Sequence, residues 1–253
     1  MQMSTVLGLI LGIGGILVGN FLEGGSVGSL LQLTAALIVF GGTLGAVMVS
    51  NRVEDLRSAW ASLRSVFRAN EAAERDLIAK EIIQTAQLAR RESLLALEKS
   101  VNGFRDPFMR SVYRFAVDGV DPEVLRRIFS EEIVLNERRK MAAAKVWSDA
   151  GGFAPTIGII GAVLGLISVM ANLSDTAMLG QGIAVAFVAT VYGVGSANLI
   201  FLPISNKLKV LIKFRSETEY MILEGALAVV GGLNPYLIEQ KMRGFTAAEA
   251  HAP

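Results

Sequence analysis

The sequence predicts an all-α membrane protein with four transmembrane helices in two hairpins and a helical cytoplasmic domain inserted between helices 2 and 3. The first observation is hydropathy: 52% of the 253 residues are hydrophobic and 19% are charged, whereas soluble domains have about 45–50% and about 25%. The second is charge segregation, because all 24 Lys and Arg residues lie in Arg52–Lys145 or Lys207–Arg243. The third is the lack of any strand-like alternation of apolar and polar residues.

The first hairpin is predicted over residues 1–51, which contain a single charged residue, Glu23. A helix needs roughly 20 apolar residues to cross a bilayer core. We therefore expect membrane helices at about Ser4–Leu22 and Val27–Ser50, joined by a glycine-rich turn. Because no Lys or Arg precedes Val6, the positive region of a signal peptide is missing. The first helix is expected to be retained.

A cytoplasmic domain is predicted over residues 52–149, which are rich in charge. Apolar residues at steps of three and four predict helices at Glu54–Arg68 and Glu71–Lys99. The first of these helices is amphipathic.

Two helix starts inside this domain have the same signal. Asp106–Pro107 and Asp121–Pro122 each combine a capping Asp with a Pro that suits the first helical position. Gly119 suits the end of the helix between them. The helix that begins at Pro122 meets no breaker before Trp147, so we expect one long helix that continues into the third membrane segment.

The second hairpin is predicted over residues 150–206, with membrane helices at about 150–173 and 177–205 and a turn at Asp175. Cytoplasmic loops of membrane proteins carry the excess of Lys and Arg. Both basic segments are therefore placed inside, which makes both termini cytoplasmic. Residues 207–253 are then C-terminal cytoplasmic helices and a tail. A charged helix is expected at Lys207–Tyr220, and the apolar segment Met221–Val230, which is too short to span the membrane, is expected to be a helix packed on the cytoplasmic domain.

The apolar arms of the second hairpin contain no Asp, Glu, Lys, Arg or His. Ion pumps usually place an ionisable group inside the membrane, so an ion-moving protein with these arms must borrow one from a partner. The chain has no Cys, and its one histidine, His251, lies in a polar tail. Without a nucleophile–base pair or a cluster of metal ligands, we expect neither an enzyme nor a metal site or cofactor. A net charge of +1 gives no support to nucleic-acid binding.

Small residues form a stripe along each arm of this hairpin, and such stripes let another helix pack closely. The stripe positions are Gly158, Ala162 and Gly165 on the third helix and Ala186, Thr190 and Gly193 on the fourth. The Thr190 hydroxyl can support a water chain, or it can bond back to a carbonyl of its own helix. Geometry alone favours the second alternative.

Two prolines and two charges are further candidates. Pro155 and Pro203 lie at the cytoplasmic ends of the two arms, where each is either an ordinary helix boundary or a hinge. Arg90 and Glu98 are eight residues apart, which on a continuous helix is about 12 Å and about 80°. They are therefore not placed to form an ion pair with each other, as residues at i and i+4 on one helix can. Each is either a solvated charge or free to meet a charge on another protein.

These features together resemble the A subunit of the bacterial flagellar stator, the MotA/PomA family of the MotA/TolQ/ExbB superfamily. The resemblance covers nearly the whole chain and begins with the two-hairpin layout. The motifs that carry it are, in order, Gly41-Gly-Thr43, ARRESLLALE with Arg90 and Glu98, APTIGIIGAVLGL from Ala154, Val191-Tyr-Gly193, Ala197-Asn198, Pro203, and GGLNP from Gly231.

The resemblance implies an ion-conducting, torque-generating stator subunit in the bacterial inner membrane. Five copies would surround a dimer of a B subunit that supplies a membrane Asp, and ion flow would drive rotation. Arg90 and Glu98 match the residues that engage a FliG-like protein of the rotor switch complex. Pro155 and Pro203 match prolines linked to conformational change. The expected partners also include membrane lipid.

The resemblance also assigns residues to the ion pathway and to contact with the B subunit. Ala162 and Thr190 would line the pathway, whereas helix packing with the B subunit would use Gly158, Gly165, Ala186 and Gly193. Sodium-driven members have Thr at the position of Ala162, and Na⁺ needs several hard oxygen ligands. We therefore expect H⁺ to be the transported ion rather than Na⁺. Ser93 is a second position, after Ala162, at which this chain differs from family members, because many of them have Gly there.

Two other functions remain open from the residues. One is an ExbB/TolQ-type energiser of outer-membrane processes, but those proteins typically have a single early membrane helix, and the hairpin within residues 1–51 argues against it. The other is a membrane transporter or passive scaffold, which would not explain Arg90, Glu98 and the long cytoplasmic insertion.

Overall fold

A computed structural model describes residues 3–67, 71–92 and 97–247. All regular secondary structure within these ranges is helical, which confirms the all-α fold class. The α-helices are α1 (Met3–Leu22), α2 (Leu33–Ala36), α3 (Gly42–Ser50), α4 (Val53–Val66), α5 (Glu71–Glu92), α6 (Glu98–Val101), α7 (Pro107–Val117), α8 (Pro122–Ala171), α9 (Thr176–Ser196), α10 (Leu202–Val230) and α11 (Pro235–Ala247). A 3₁₀ turn covers Val27–Leu30, and π-helical turns join α2 to α3 (Leu37–Gly41) and α9 to α10 (Ala197–Phe201).

Four helical segments of the described chain are long and apolar enough to cross a membrane. They are Ser4–Leu22, Val27–Ser50, Pro122–Ala171 and Thr176–Val230, with mean hydropathies of 2.1, 2.0, 2.1 and 1.8 in their most apolar windows. This is the predicted number of membrane helices. The charged helices α4 to α7 lie between the second and the third of them, as the predicted insertion requires.

The chain divides into two compact units, whose boundaries differ from the predicted domain borders. Unit 1 comprises Met1–Ala69 and Lys140–Lys209, and unit 2 comprises Asn70–Arg139 and Val210–Pro253. Unit 1 therefore includes α4 and residues 140–149 as well as the apolar helices. The predicted four-part division at residues 51, 149 and 206 stays a prediction.

Unit 1 packs its two hairpins together through small residues. A Cβ added at Gly42 would lie 2.9 Å from Ile157 Cγ2, and one added at Gly161 would lie 3.3 Å from Ile38 Cγ2. The helices can therefore approach more closely than larger side chains would allow. A buried cluster formed by α2, the first π turn and α9 supports the contact; its members are Ala35, Val39, Val185, Val188 and Ala189.

Unit 2 has a conventional apolar core, built from α5 to α7, the start of α8, the later part of α10, and α11. Its largest fully buried side chains include Tyr113, Phe129, Ile82, Met109 and Met221. The apolar positions of α5 and α7 thus contribute to a core within unit 2, whereas α4 packs within unit 1, where Ala59 joins a cluster with Val47 and Ala143.

The predicted helix starts are confirmed. Asp106 Oδ1 accepts bonds from the backbone N–H groups of Phe108 (2.8 Å) and Met109 (3.0 Å), and Pro107 is the first residue of α7. Asp121 caps α8 in the same way through the N–H groups of residues 123 and 124. After α7, Gly119 takes a φ of +78°, a conformation that favours glycine.

The prolines are not helix ends, so the interpretation of Pro155 and Pro203 as ordinary boundaries is wrong. Pro155 lies inside the unbroken helix α8. Close packing before and after the proline holds that helix: a Cβ on Gly151 would lie 2.6 Å from the Leu202 side chain, and one on Gly158 would lie 2.9 Å from Ala189 O. Pro203 is the second residue of α10 and directly follows the π turn. Such widened turns are common in helices near functional sites.

One further difference concerns helix continuity. The apolar segment Met221–Val230 is not a separate helix, because α10 runs without a break from Leu202 to Val230. Helix α5 ends at Glu92, and α6 begins at Glu98. The predicted continuity between them, including Ser93, lies outside the described residues, as do Arg68 and His251.

Candidate functional site: an uncharged helical hairpin

The two arms of the second hairpin, α8 and α9, meet at their glycines. A Cβ added at Gly193 would lie 2.5 Å from Ala154 O, and one added at Gly158 would lie 2.9 Å from Ala189 O. A Cβ at Gly165 would lie 2.7 Å from Gly182 O. Because real side chains almost never approach this closely, the two backbones can touch only where the side chain is absent.

All four small residues predicted to pack against a B subunit lie in this contact within the chain. Gly158, Gly165, Ala186 and Gly193 are buried, and Ala186 N lies 2.8 Å from the position of a Cβ on Gly165. Their role against a B subunit stays a prediction. The structure gives them a first role, which is to hold the two arms of the hairpin together.

Ala162 and Thr190 lie beside this contact, and both are half-buried. The Thr190 hydroxyl donates to Ala186 O at 3.2 Å, which is the alternative that geometry favoured. A hydroxyl that donates within its helix still keeps lone pairs that can accept a bond from water or from a protonated group. Ala162 contributes no oxygen. The hairpin therefore offers one side-chain oxygen at these two positions.

The only acidic or basic residue between positions 150 and 206 is Asp175. It is exposed at the turn, where its carboxylate caps α9 through the N–H groups of Ala177 (3.0 Å) and Met178 (3.2 Å). No group of three potential metal ligands occurs among the described residues. The apolar arms thus contain no group of their own that can carry a proton or neutralise a cation inside the membrane.

Tyr192 joins the second hairpin to the first. Its hydroxyl donates to Leu30 O at 2.5 Å and accepts from Gln32 N–H at 3.3 Å, and its ring stacks on Phe40 at 5.7 Å between centroids. Leu30 and Gln32 flank the point where the second membrane segment changes from a 3₁₀ turn to α2. The hydroxyl therefore satisfies backbone groups that an interrupted helix leaves unpaired.

The sequence interpretation missed this role, although one signal was present. Tyr192 is the only tyrosine in the apolar arms of the hairpin, and a tyrosine hydroxyl away from water needs a hydrogen-bond partner.

A polar cluster in unit 1 was also missed. Asp149 accepts bonds from Asn51 Nδ2 (3.1 Å) and from Lys145 Nζ (2.6 Å), which ties the end of α3 to α8. Trp147 Nε1 donates to Ala59 O in α4 at 3.2 Å. In this way α8 fixes the chain that leaves the second membrane helix.

The fully buried hydroxyl of Ser205 gives α10 a similar anchor. It donates to Ala144 O in α8 at 2.9 Å and lies two residues after Pro203. The helix that follows the second π turn is therefore held in place directly after its proline.

Arg90 and Glu98 are both exposed in unit 2, and neither forms an ion pair with a described residue. Arg90 borders a groove of 390 Å³ beside Gly232 and Leu233, at the turn after α10. Glu98 borders a different groove of 210 Å³ with Arg114 and Asp118. The structure therefore places the two candidate charges at separate grooves, each available to another molecule.

A buried ion pair stabilises the core of unit 2. Arg215 donates to both oxygens of Asp106, from Nη1 at 2.5 Å and from Nη2 at 3.1 Å, and its Nε donates to Glu219 at 2.8 Å. Burial acts to raise the pKa of Asp106, but the bonds and charge of Arg215 and the two backbone N–H groups outweigh it, so the pKa is lowered. The residue that caps α7 therefore also connects it to α10.

A second carboxylate connects three helices of unit 2. Glu224 on α10 pairs with Arg126 on α8 and with Lys241 on α11, the latter at 2.5 Å. Burial acts to raise the pKa of Glu224, but the hydrogen bonds and charges of Lys241 and Arg126 outweigh it and lower the pKa.

These features define a class: a polytopic α-helical membrane protein whose second hairpin is tightly packed and uncharged, with a separate charged helical unit. Comparison with known proteins identifies the family. Residues 100–221 match the model of the MotA/TolQ/ExbB proton channel family, and residues 6–92 match that of the motility protein A N-terminal region. Motility protein A of Bacillus subtilis is 35% identical over 98% of this chain and 92% of its own length.

Solved structures agree in fold and extent. A chain of the structure of C. jejuni MotAB superposes with a TM-score of 0.90 and 31% identity, covering 97% of this chain and 96% of its own. A chain of the flagellar MotAB stator complex from Bacillus subtilis gives 0.86 and 36%, covering 93% and 92%.

The chain therefore belongs to the motility protein A family, within the wider MotA/TolQ/ExbB proton channel family. It is an ion-conducting, torque-generating stator subunit of the A type. Its relatives are components of channels and motors. The match of residues 6–92 to the motility protein A model favours this branch over ExbB/TolQ-type energisers.

Proposed function

We propose that the chain works with a B subunit in the bacterial inner membrane and couples inward ion flow, carried by H⁺, to rotation of the flagellar rotor. Five copies surround a B dimer, and both termini of each copy are cytoplasmic. The segregation of Lys and Arg into two segments supports this orientation. The similar solved structures are MotAB complexes, which supports a B partner for this chain.

One observation carries the proposal: the hairpin of α8 and α9 is tightly packed and has no ionisable group in its apolar arms. A family of ion channels needs such a group within the membrane. The hairpin is thus one wall of an ion site, and the carboxylate comes from the B subunit as a membrane Asp. No catalytic chemistry is required of the chain, and we propose that it is not an enzyme.

The choice of ion rests on Ala162 and Thr190. A proton can pass with a carboxylate and a water path, whereas Na⁺ needs several hard oxygen ligands. Here Ala162 provides no oxygen, and the Thr190 hydroxyl already donates within its helix. These positions support H⁺ as the transported ion.

Torque transfer is assigned to Arg90 and Glu98. Both are exposed and unpaired with described residues, and they border separate grooves of unit 2. We propose that they meet charges of the FliG-like rotor protein. Pro155 and Pro203 lie in long helices that contain both apolar and charged segments. Each proline removes one helical hydrogen bond, and the two sites are proposed to let α8 and α10 bend as an ion passes.

The test is a swimming assay in a strain whose own A subunit has been replaced by this chain. The double variant Arg90→Ala with Glu98→Lys should assemble with the B subunit, as shown by co-purification, but should not swim. Arg91→Ala with Glu92→Lys makes the same charge changes at neighbouring exposed positions and is the matched control. Normal swimming of the first double variant would refute the rotor assignment. Failure to retain any partner with a membrane Asp would refute the stator complex.

The ion is tested separately in the same strain. A protonophore should stop swimming, whereas replacement of external sodium by potassium should leave the swimming speed unchanged. A speed that follows sodium and resists the protonophore would overturn the assignment of H⁺.

A further inference from the structure

Unit 1 contains a cavity that the proposed function does not use. Its volume is 420 Å³, within the roughly 300–1,000 Å³ of typical ligand sites. The start of α1 forms one wall through Gly8 and Leu9, and Val66 contributes from the end of α4. The segment after the second π turn forms the other wall through Ile204 and Lys207.

The cavity lies where the apolar and basic parts of the chain meet. Lys207 is the first basic residue after an apolar helix that contains no charge from Thr176 to Asn206. In a membrane helix, that transition marks the level of the lipid headgroups. Lys207 is half-buried and makes no ion pair or hydrogen bond with a described residue, whereas the walls include the apolar side chains of Leu9 and Ile204. The cavity therefore has an unpaired positive charge at one edge and an apolar lining.

We propose that this cavity holds one anionic phospholipid, with its phosphate at the Lys207 ammonium and part of an acyl chain against Leu9 and Ile204. A free phosphate would leave the apolar walls in contact with water. A zwitterionic lipid would match the walls but would interact less favourably with the single positive charge. Charge complementarity and membrane depth thus point to the same occupant. Pro203 also lines the cavity, so the lipid would contact the segment proposed to bend.

Gly8 offers a clean way to block the cavity. A Cβ added there would meet no atom within 4 Å, so a larger side chain can enter the cavity without moving the backbone. Gly15 on the same helix is equally open and does not line the cavity. Gly8→Phe and Gly15→Phe are therefore a matched pair, in which only the first fills the lipid site. Lys207→Gln and Lys209→Gln form a second pair, because Lys209 does not line the cavity and also lacks an ion pair with a described residue.

The experiment measures retained lipid by native mass spectrometry on the full chain, purified in detergent with any partner it keeps. The protein is delipidated and then given phosphatidylglycerol or phosphatidylethanolamine. The unmodified chain and Gly15→Phe should retain about one phosphatidylglycerol per chain, whereas Gly8→Phe should retain none. Lys207→Gln should lose about fivefold of the preference for phosphatidylglycerol, roughly what one Lys contributes near an anionic surface, and Lys209→Gln should keep it.

Two results would overturn the proposal. Equal retention in Gly8→Phe and Gly15→Phe would mean that the lipids are non-specific, and an unchanged preference in Lys207→Gln would remove the headgroup contact. Retention of no lipid by the unmodified chain would overturn the proposal as well. Since none of these readouts uses swimming, failure here is distinct from failure of the stator function.

Discussion

Replacing Gly193 with Ala should separate the two arms of the second hairpin. The added Cβ would lie 2.5 Å from Ala154 O and 3.0 Å from the Cα of Gly158. Ordinary contacts begin at 3.4 Å, so the first of these is 0.9 Å too close. Both neighbours are backbone atoms, which cannot rotate away as the end of a side chain can. We expect a cost of about 2 kcal/mol, in the range for overpacking a well-packed interior.

The matched control is Gly195→Ala, two residues further along α9. A Cβ at Gly195 meets nothing within 4 Å, and Ala has a higher helix propensity than Gly. The assay is thermal unfolding of the purified chain, monitored by size-exclusion chromatography. Swimming is the functional readout. About 2 kcal/mol corresponds to a loss of roughly 4–8 °C in Tm for a chain of this size. Equal Tm and swimming speed for Gly193→Ala and Gly195→Ala would refute the reasoning from close backbone contact.

Three further predictions concern other contacts. Asp106→Ala should destabilise unit 2 by about 3 kcal/mol, because it removes the cap of α7 and one partner of a buried pair. Asp106→Asn keeps the cap and should destabilise unit 2 by about 2 kcal/mol. Resistance of unit 2 to proteolysis should therefore be lower in Asp106→Ala than in Asp106→Asn, and equal losses of resistance would contradict this prediction. Because the pKa values of Asp106 and Glu224 are lowered, their stabilisation is fully present above the unfolded values of 3.8 and 4.5 and is lost as the pH falls through the folded values. The hydrogen-exchange protection factors of α7, which correct for the slower intrinsic exchange at low pH, should therefore fall less between pH 6 and pH 3 in Asp106→Asn than in the unmodified chain. Tyr192→Phe should lower the free energy of unfolding by about 1 kcal/mol, as is typical for a hydrogen bond between membrane helices. It should also speed hydrogen exchange of the Gln32 backbone N–H. Unchanged exchange at Gln32 would argue against the Tyr192 hydrogen bond.

Much of the fold follows from local patterns in the sequence. Uncharged runs of membrane length gave the four spans, and the Asp-Pro pairs at 106–107 and 121–122 gave the starts of α7 and α8 correctly. These signals act through neighbouring residues, since a cap bonds to the N–H groups two and three positions ahead. The positions where prediction failed depend on contacts between distant segments. The local sequence at Pro155 is compatible with a helix boundary, but α8 packs closely both before and after the proline, and the helix is intact.

The same distinction applies to the candidate site. The small-residue stripes and the lack of an ionisable group are visible in the sequence alone, and so was the alternative bond of Thr190. Periodicity shows that a glycine face will pack closely, but it does not show against which helix. Gly158 and Gly193 turn out to pack against the other arm of their own hairpin. The bonds of Tyr192 to residues more than 150 positions away have no local signature beyond an isolated hydroxyl.

The central claim is that α8 and α9 form one wall of an ion site whose carboxylate comes from another subunit. The most direct test is proton entry, measured as cytoplasmic acidification in cells that express this chain alone, with the B subunit, or with a B subunit in which the membrane Asp is replaced by Asn. Expression of the chain should be matched across the three strains. Acidification only with the intact Asp is the predicted result. Acidification by the chain alone, or with the Asn variant, would contradict the claim.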